Sequence, residues 1–224
     1  MQEAFQYYPL TAIIIAITCI VSYMAFNDRG QLDRLLFHPY TVANDSAERV
    51  RFITNGFVHA DFMHLGLNMY VLYIFGGTVE NIFVAQLFGP TIGRVAYLLL
   101  YFGAVIMASY PSYMKHKNNP SYRALGASGG TSAILLAYVI FYPWNWLLLM
   151  FIIPVPALVA AIGYLWYSSH MAKNGSSDNI AHDAHLGGAV YGIFFTLIAI
   201  LALAPEVIPN LLESIMEGPT MYQF

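Results

Sequence analysis

Six apolar runs, each long enough to cross a bilayer, constrain this chain more than any other feature: about residues 9–26, 60–78, 92–114, 125–142, 144–168 and 183–204. Crossing the hydrocarbon layer takes about 20 residues of helix. In lipid no water satisfies a free N–H or C=O, so each run is expected to be helical. The fold class expected is all-α: a polytopic membrane protein, one domain over residues 1–224, built as a six-helix bundle. Charged residues make up 9% of the chain, where a soluble domain carries about 25%. The net charge of −3 comes without a basic run, so nucleic acid is not an expected partner. Cys19 is the single cysteine; it lies in an apolar run and is read as packing. The first run has the length of a signal peptide. Met1–Tyr8 has no basic residue, however, and no small-residue cleavage site follows, so it is read as a retained span.

The connections differ in character. Residues 27–58 set Asp28, Asp33, Asp45 and Glu48 against Arg29, Arg34, Arg49 and Arg51. They also hold Leu35–Tyr40, which suits a segment half sunk in the interface as well as it suits an ordinary folded loop. The fifth run is framed by Trp144 and Trp146 at one end and by Tyr164, Trp166 and Tyr167 at the other, as interfacial belts would be. Pro154 and Pro156 are expected to kink it. The connections Lys115–Tyr122 and Ser168–Asn179 are polar, and Asn174–Asp178 reads as flexible. After Pro205, Asn210–Met216 is expected as a short amphipathic surface helix.

With six spans, the even-numbered ones enter from one face, and each opens with polar residues. The second starts His59-Ala-Asp61-Phe-Met-His64-Leu-Gly-Leu-Asn68, the fourth Gly126-Ala-Ser128-Gly129-Gly130, and the sixth His182-Asp183-Ala-His185-Leu-Gly-Gly188. Polar side chains at that depth are costly and are usually paired or functional. Gly188 and Gly192 follow His185 on its own helix face, and Gly126, Gly129 and Gly130 form a second small strip. Two glycine faces meeting would bring the His185 imidazole to the Ser128 hydroxyl as a base for a nucleophile. His64 and Asn68, four apart and on one face, can donate to a developing oxyanion, as can the Ser128 amide at the positive end of its helix. Asp183 lies about 200° around the helix from His185, so a dyad is expected without a third acid. The plainer expectations are these. Ser128 taken alone is a packing residue, His182 a wet interfacial one, and Asp61 and Asp183 face water. Glu80 and Tyr191 are structural, and Thr131 and Ser132 bond to their own helix backbone.

The pattern His59-x4-His64-x3-Asn68, then Gly126-x-Ser128-Gly129, then Ala184-His185-x-Gly187-Gly188-x3-Gly192 resembles the rhomboid intramembrane serine proteases over nearly the whole chain. The resemblance implies a bacterial-type, six-span rhomboid-like bundle with Ser128 and His185 as catalytic dyad. It also implies His64, Asn68 and Gly126 at the oxyanion and substrate-binding side. His59, Arg51, Gly129, Gly188 and Gly192 would be structural residues near the site, and Gly76-Gly-Thr-Val-Glu80 matches a glycine pair and glutamate of the family. Two positions depart. Val50 stands where the family has a tryptophan, and Ser132 where many members carry an aromatic that packs on the catalytic histidine. Something else must then hold the His185 ring.

The activity implied is hydrolysis of peptide bonds in or near transmembrane segments, with the fifth span as a mobile gate. The expected partners are transmembrane protein substrates and the lipid bilayer; no cofactor, metal or particular oligomeric state is called for. The expected location is a bacterial cytoplasmic (inner) membrane. Two other readings compete: a rhomboid-like protein that binds transmembrane clients without cutting them, and a metalloprotease using His59, His64, His182, His185, Asp61 and Asp183. The spacing of the latter fits no His-Glu-x-x-His helix. The resemblance implies a cytoplasmic N-terminus and an outward-facing site. The positive-inside rule points the other way, because only Arg94 of the lysines and arginines would then lie inside.

Overall fold

The computed structural model describes residues 9–149, 152–174 and 181–219. Its long helices are α1 (Pro9–Asn27), α4 (Phe62–Leu87), α5 (Gly89–His116), α6 (Ser128–Phe141), α7 (Ala157–Asn174) and α8 (His182–Leu203). Short helices α2 (Arg29–Leu35) and α3 (Pro39–Asn44) fall in the first connection, and α9 (Ile208–Glu217) follows α8. Four of these, α1, α4, α5 and α8, are long and apolar enough to cross a membrane, which makes the chain an integral, multi-pass membrane protein. α6 is apolar but only 14 residues long. It runs through the middle of the bundle, in contact with α4, α5 and α8. Gly76–Glu80, expected at the end of the second span, lies inside α4, which continues to Leu87 through two π-helical stretches, Leu72–Gly76 and Ile82–Leu87.

The fifth run departs from expectation. Two short strands pair antiparallel as a β-hairpin, β1 (Trp146–Leu149) against β2 (Ile153–Pro156), and the helix begins only at Ala157. The two prolines explain this. Proline has no N–H, and its ring clashes with the carbonyl four residues back, so Pro154 and Pro156 end the helix rather than bend it. The freed ends are tied elsewhere: Ala157 N–H donates to Asn145 C=O at 2.8 Å and Leu158 N–H to Pro143 C=O at 2.7 Å. α7 consequently reaches Asn174, and of the segment Asn174–Asp178 expected to be flexible, residues 175–178 lie outside the described residues. The expected surface helix is present as α9, tethered by Trp144 Nε1 donating to Ile215 C=O at 3.1 Å.

Residues 27–58 form a folded loop. Leu36, Phe37 and Val42 are buried in it, and Arg51 gathers it from within. The guanidinium donates to the carbonyls of Asp33 (2.5 Å) and Leu36 (3.0 Å) and pairs with Glu48. In the second half of α4, Glu80 is 1% exposed. Its carboxylate accepts from Leu10 N–H (3.0 Å), Thr11 N–H (2.8 Å) and the Thr11 hydroxyl (2.7 Å). The first amides of a helix have no intrahelical acceptor, and a carboxylate there also complements the helix dipole. Glu80 thus caps α1 from a neighbouring helix. Glu80→Leu should lower unfolding stability by about 2–6 kcal/mol, because two backbone donors lose their acceptor at about 1–3 kcal/mol each. Glu80→Gln, which keeps one acceptor oxygen, should lose about half as much. Thermal unfolding in detergent measures both.

Candidate active site

α6 begins at Ser128 because of what precedes it. Gly126 has φ +121°, a conformation that forbids helix continuation and disfavours any side chain. A Cβ there would also stand 2.7 Å from His64 Cε1 and 2.9 Å from Nε2, so the imidazole lies directly against this glycine. The approach to Ser128 is held by successive residues. Ala124 pairs with Phe37 in both directions (2.8 and 3.0 Å), and Gly126 N–H donates to Asn55 C=O at 2.9 Å. Ala127 N–H donates to His59 Nε2 at 3.3 Å. The Gly126 amide is therefore already committed, and this residue serves the site by its shape rather than as a donor. Ser128 N–H, by contrast, has no protein acceptor among the described residues and lies at the positive end of α6.

His59 explains how the second span is tied to that turn. It is fully buried. Because Nε2 accepts from Ala127, the proton is on Nδ1, which donates to Ser22 Oγ at 2.9 Å, and the Ser22 hydroxyl donates to Phe57 C=O at 2.8 Å. Burial pushes the His59 pKa down to about 3, with the His64 ring beside it acting in the same direction.

His64 and Asn68 rise from α4 toward α6. Asp61 caps α4 by accepting His64 N–H at 2.8 Å, and the His64 ring meets His59 edge-on with centroids 4.9 Å apart. Asn68 Nδ2 donates to His64 C=O at 2.9 Å, and its Oδ1 accepts from the Thr131 hydroxyl at 3.0 Å. Nδ2 carries a second proton that can serve an oxyanion. The Thr131 hydroxyl also stands 3.2 Å from the Ser128 carbonyl, as a serine or threonine bonding to its own helix would.

α8 meets α6 backbone to backbone. A Cβ at Gly188 would stand 2.2 Å from the Gly129 carbonyl oxygen, and one at Gly192 would stand 2.5 Å from Ala133 Cα. Both partners advance by four residues, so the helices run parallel in register. Ser128 and His185 fall at the same end of the contact. The expected meeting of two glycine faces is half met. Gly188 touches the Gly129 backbone, but the side-chain directions of Gly129 and Gly130 face Ala108 and Tyr101 of α5. A cavity of about 20 Å3 opens beside Ser128, with Asn55, Ser109, Ser112 and Ala184 among its walls. That is room for about one water.

Several residues are not where the sequence reading put them. Ser132 does not bond to its own helix; its Oγ is 2.5 Å from the Tyr164 hydroxyl. Tyr164 is not an interfacial marker, because its ring stacks on His185 with centroids 6.3 Å apart and planes at 29°. His182 is buried rather than wet, edge-on to both Tyr167 (5.3 Å) and His185 (6.0 Å). Asp183 does turn away from His185, but toward α5, where its Oδ2 accepts from the Ser112 hydroxyl at 3.1 Å. Arg51, expected as a structural residue near the site, makes its polar contacts within the first loop, to Asp33, Leu36 and Glu48. Asn55, which no motif singled out, links the loop to both Gly126 and α5 through its carbonyl and its amide (3.3 Å to Ser109 Oγ). Among the described residues, no three His, Cys, Asp or Glu side chains converge as metal ligands would.

The Rhomboid domain family model matches residues 46–202. RHOMBOID-like protein 12, mitochondrial, from Arabidopsis thaliana is 34% identical over 145 residues, which cover 61% of this chain and 42% of that protein. Rhomboid protein 1, mitochondrial, from Saccharomyces cerevisiae is 28% identical over 158 residues, 66% of this chain and 41% of its own length. Presenilin-associated rhomboid-like protein, mitochondrial, from Mus musculus is 28% identical over 142 residues, 62% and 35% of the two chains. The matched stretch thus spans about two fifths of the length of these curated relatives.

Two expectations follow from the geometry. Gly188→Ala must push α8 away from α6, and for a Ser128–His185 dyad, as the resemblance implies, a displacement of about 1 Å can cost about 100-fold in rate. Reaction of Ser128 with a fluorophosphonate should therefore fall by about that factor. Gly163→Ala, at a helix position with open space, should leave it unchanged. His59 gives a pH dependence whose sign is set by its neutral native form. Above pH 6.5 both states are neutral; below it the unfolded chain takes up the proton first, down to about pH 3. Its contribution then falls by up to about 1.4 kcal/mol per pH unit. The thermal-stability advantage of wild type over His59→Gln should hold down to about pH 6.5 and shrink steadily from there to pH 5.

Proposed function

The chain belongs to the rhomboid family, and from that membership we propose that it is an intramembrane serine endopeptidase working through Ser128 and His185. The observation that carries this reading is the α6–α8 backbone contact at Gly129 and Gly188, which leaves the serine and the histidine at the same end of two touching helices. Ser128 Oγ attacks the scissile carbonyl of a substrate's transmembrane segment while His185 takes the hydroxyl proton. The resulting oxyanion is stabilised by the Ser128 N–H, by His64 and by the second Asn68 Nδ2 proton. His185 then gives its proton to the leaving amine, and an acyl-enzyme remains. A water deprotonated by His185 attacks that ester, and collapse returns the proton to Ser128 Oγ. The cavity beside Ser128 has room for such a water.

A second reading is a family member that binds transmembrane clients without cutting them. The presence of both Ser128 and His185, each in a tightly shaped setting, favours cleavage. The quoted relatives are mitochondrial by name. They lend no support to the bacterial inner membrane expected from the six-span pattern, so the placement kept here is an integral, multi-pass one.

Incubation of the full chain in liposomes with a transmembrane substrate tests the proposal. Wild type should cleave, Ser128→Ala and His185→Ala should not, and His64→Ala or Asn68→Ala should lose about 100- to 1,000-fold. Chelator should have no effect. Equal cutting by wild type and both dyad variants would sink the mechanism, and client binding without cleavage would favour the second reading.

A further inference from the structure

An imidazole that must accept a proton from one atom and pass it to another has to be held in one orientation. Hydrogen bonds fix its edges; a wall fixes its faces. α6 offers no wall, because one turn after Ser128 it carries Ser132 instead of a ring. The Tyr164 ring of α7 takes that place. It lies nearly parallel to the His185 ring, 29° between planes and 6.3 Å between centroids, within the range of offset aromatic stacks. Its far end is fixed too, by the 2.5 Å hydrogen bond between its hydroxyl and Ser132 Oγ. Ser132 is 5% exposed and cannot follow a wandering tyrosine.

We propose that Tyr164 is the positioning residue for His185 and that Ser132 is its anchor. The inference rests on the dyad reading given above. The nucleophile is carried by α6, the base by α8 and the wall by α7, so the base's orientation depends on a helix that carries neither reacting group. α7 packs mainly on α8 and touches α6 sparingly, which makes the Ser132–Tyr164 hydrogen bond a principal polar tie between α6 and α7. A shift of α7 away from α6 breaks that tie and withdraws the ring from the imidazole together. A tyrosine that merely fills space would couple to neither serine nor histidine.

Kinetics of the full chain in liposomes with a transmembrane peptide substrate separate the two. Tyr164→Ala should lower kcat by about 10- to 100-fold with KM changed by less than about 2-fold. Tyr164→Phe and Ser132→Ala each remove only the anchor, so each should cost about 3-fold, and the double variant no more than either alone. Ser132→Phe placed in the Tyr164→Ala background returns a ring to the vacated space and should recover at least half of the lost kcat on a logarithmic scale. A wild-type kcat in Tyr164→Ala, a loss confined to KM, additive losses in the double variant, or no recovery with Ser132→Phe would each overturn the assignment. A readout without turnover keeps the two proposals apart. In Ser128→Ala protein, the carbon-bound protons of His185 should be shifted upfield by the Tyr164 ring current, and Tyr164→Leu should abolish that shift. If wild type cuts nothing yet the shift is present, the dyad reading fails and what stands is Tyr164 holding the orientation of the His185 ring. If the shift is absent, the assignment falls.

Discussion

The constraint on which the site depends is the distance between two backbones. α8 lies so close to α6 that a single Cβ at Gly188 would stand 2.2 Å from a carbonyl oxygen. Lipid offers no hydrophobic gain from packing one apolar helix on another, so helices in a membrane associate through close van der Waals contact and polar ties. Glycine permits the first by removing the side chain that would hold the axes apart. The register is then fixed twice, at Gly188 against Gly129 and at Gly192 against Ala133. No freedom remains for His185 to slide relative to Ser128. On the proposed mechanism, a looser pair of helices could hold the same residues without keeping base and hydroxyl aligned.

The remaining polar groups in the bundle sort by whether their hydrogen bonds are already spent. Glu80, His59, Asn55 and Arg51 are all buried, and each is committed to backbone groups and to one neighbouring side chain: Thr11, Ser22, Ser109 and Glu48 in turn. Their effect on the site is indirect but specific. Arg51 gathers the first loop, Asn55 and Phe37 of that loop grip Gly126 and Ala124, and His59 takes the next amide. The turn before Ser128 is thus pinned at almost every residue, which lets α6 start abruptly with its first amides, before Thr131, without protein acceptors among the described residues. Those unpaired donors are what an oxyanion would use.

Periodicity and parity made much of this legible in advance. Apolar runs marked the helices, and the rule that alternate spans enter from one face put three polar openings at one depth. The fifth run was misread because hydropathy alone cannot distinguish a helix from a hairpin when lipid or bundle surrounds both. Pro154 and Pro156 carried the needed information as missing donors rather than as a kink. Tyr164 was misread for a different reason. A tyrosine near the end of an apolar run usually belongs at an interface, and only the absence of a ring at Ser132 signalled that some other helix had to supply one. His182 and Asp183 show the same limit: rotation about the helix axis told which way Asp183 turns, but not that Ser112 of α5 waits there.

On the proposed dyad, where the wall behind the base is mounted has consequences. A ring four residues after the serine on the same helix would move rigidly with the nucleophile, and the alignment of base and hydroxyl would be insensitive to neighbouring helices. A ring on α7 makes that alignment conditional. α7 is tied at its start through the hairpin, by Ala157 and Leu158 donating to carbonyls just after α6, and along its length by Tyr164 to Ser132. Between those two ties lies about one and a half turns of helix with Gly163 in open space at its end. Any force that tilts α7 about its hairpin end therefore acts first on the Tyr164 hydrogen bond. On the proposed mechanism, a substrate helix that displaced α7 to reach Ser128 would disarm the base as it entered, and His185 would be aligned again only on the return of α7. The same lever that admits substrate would then also time the chemistry.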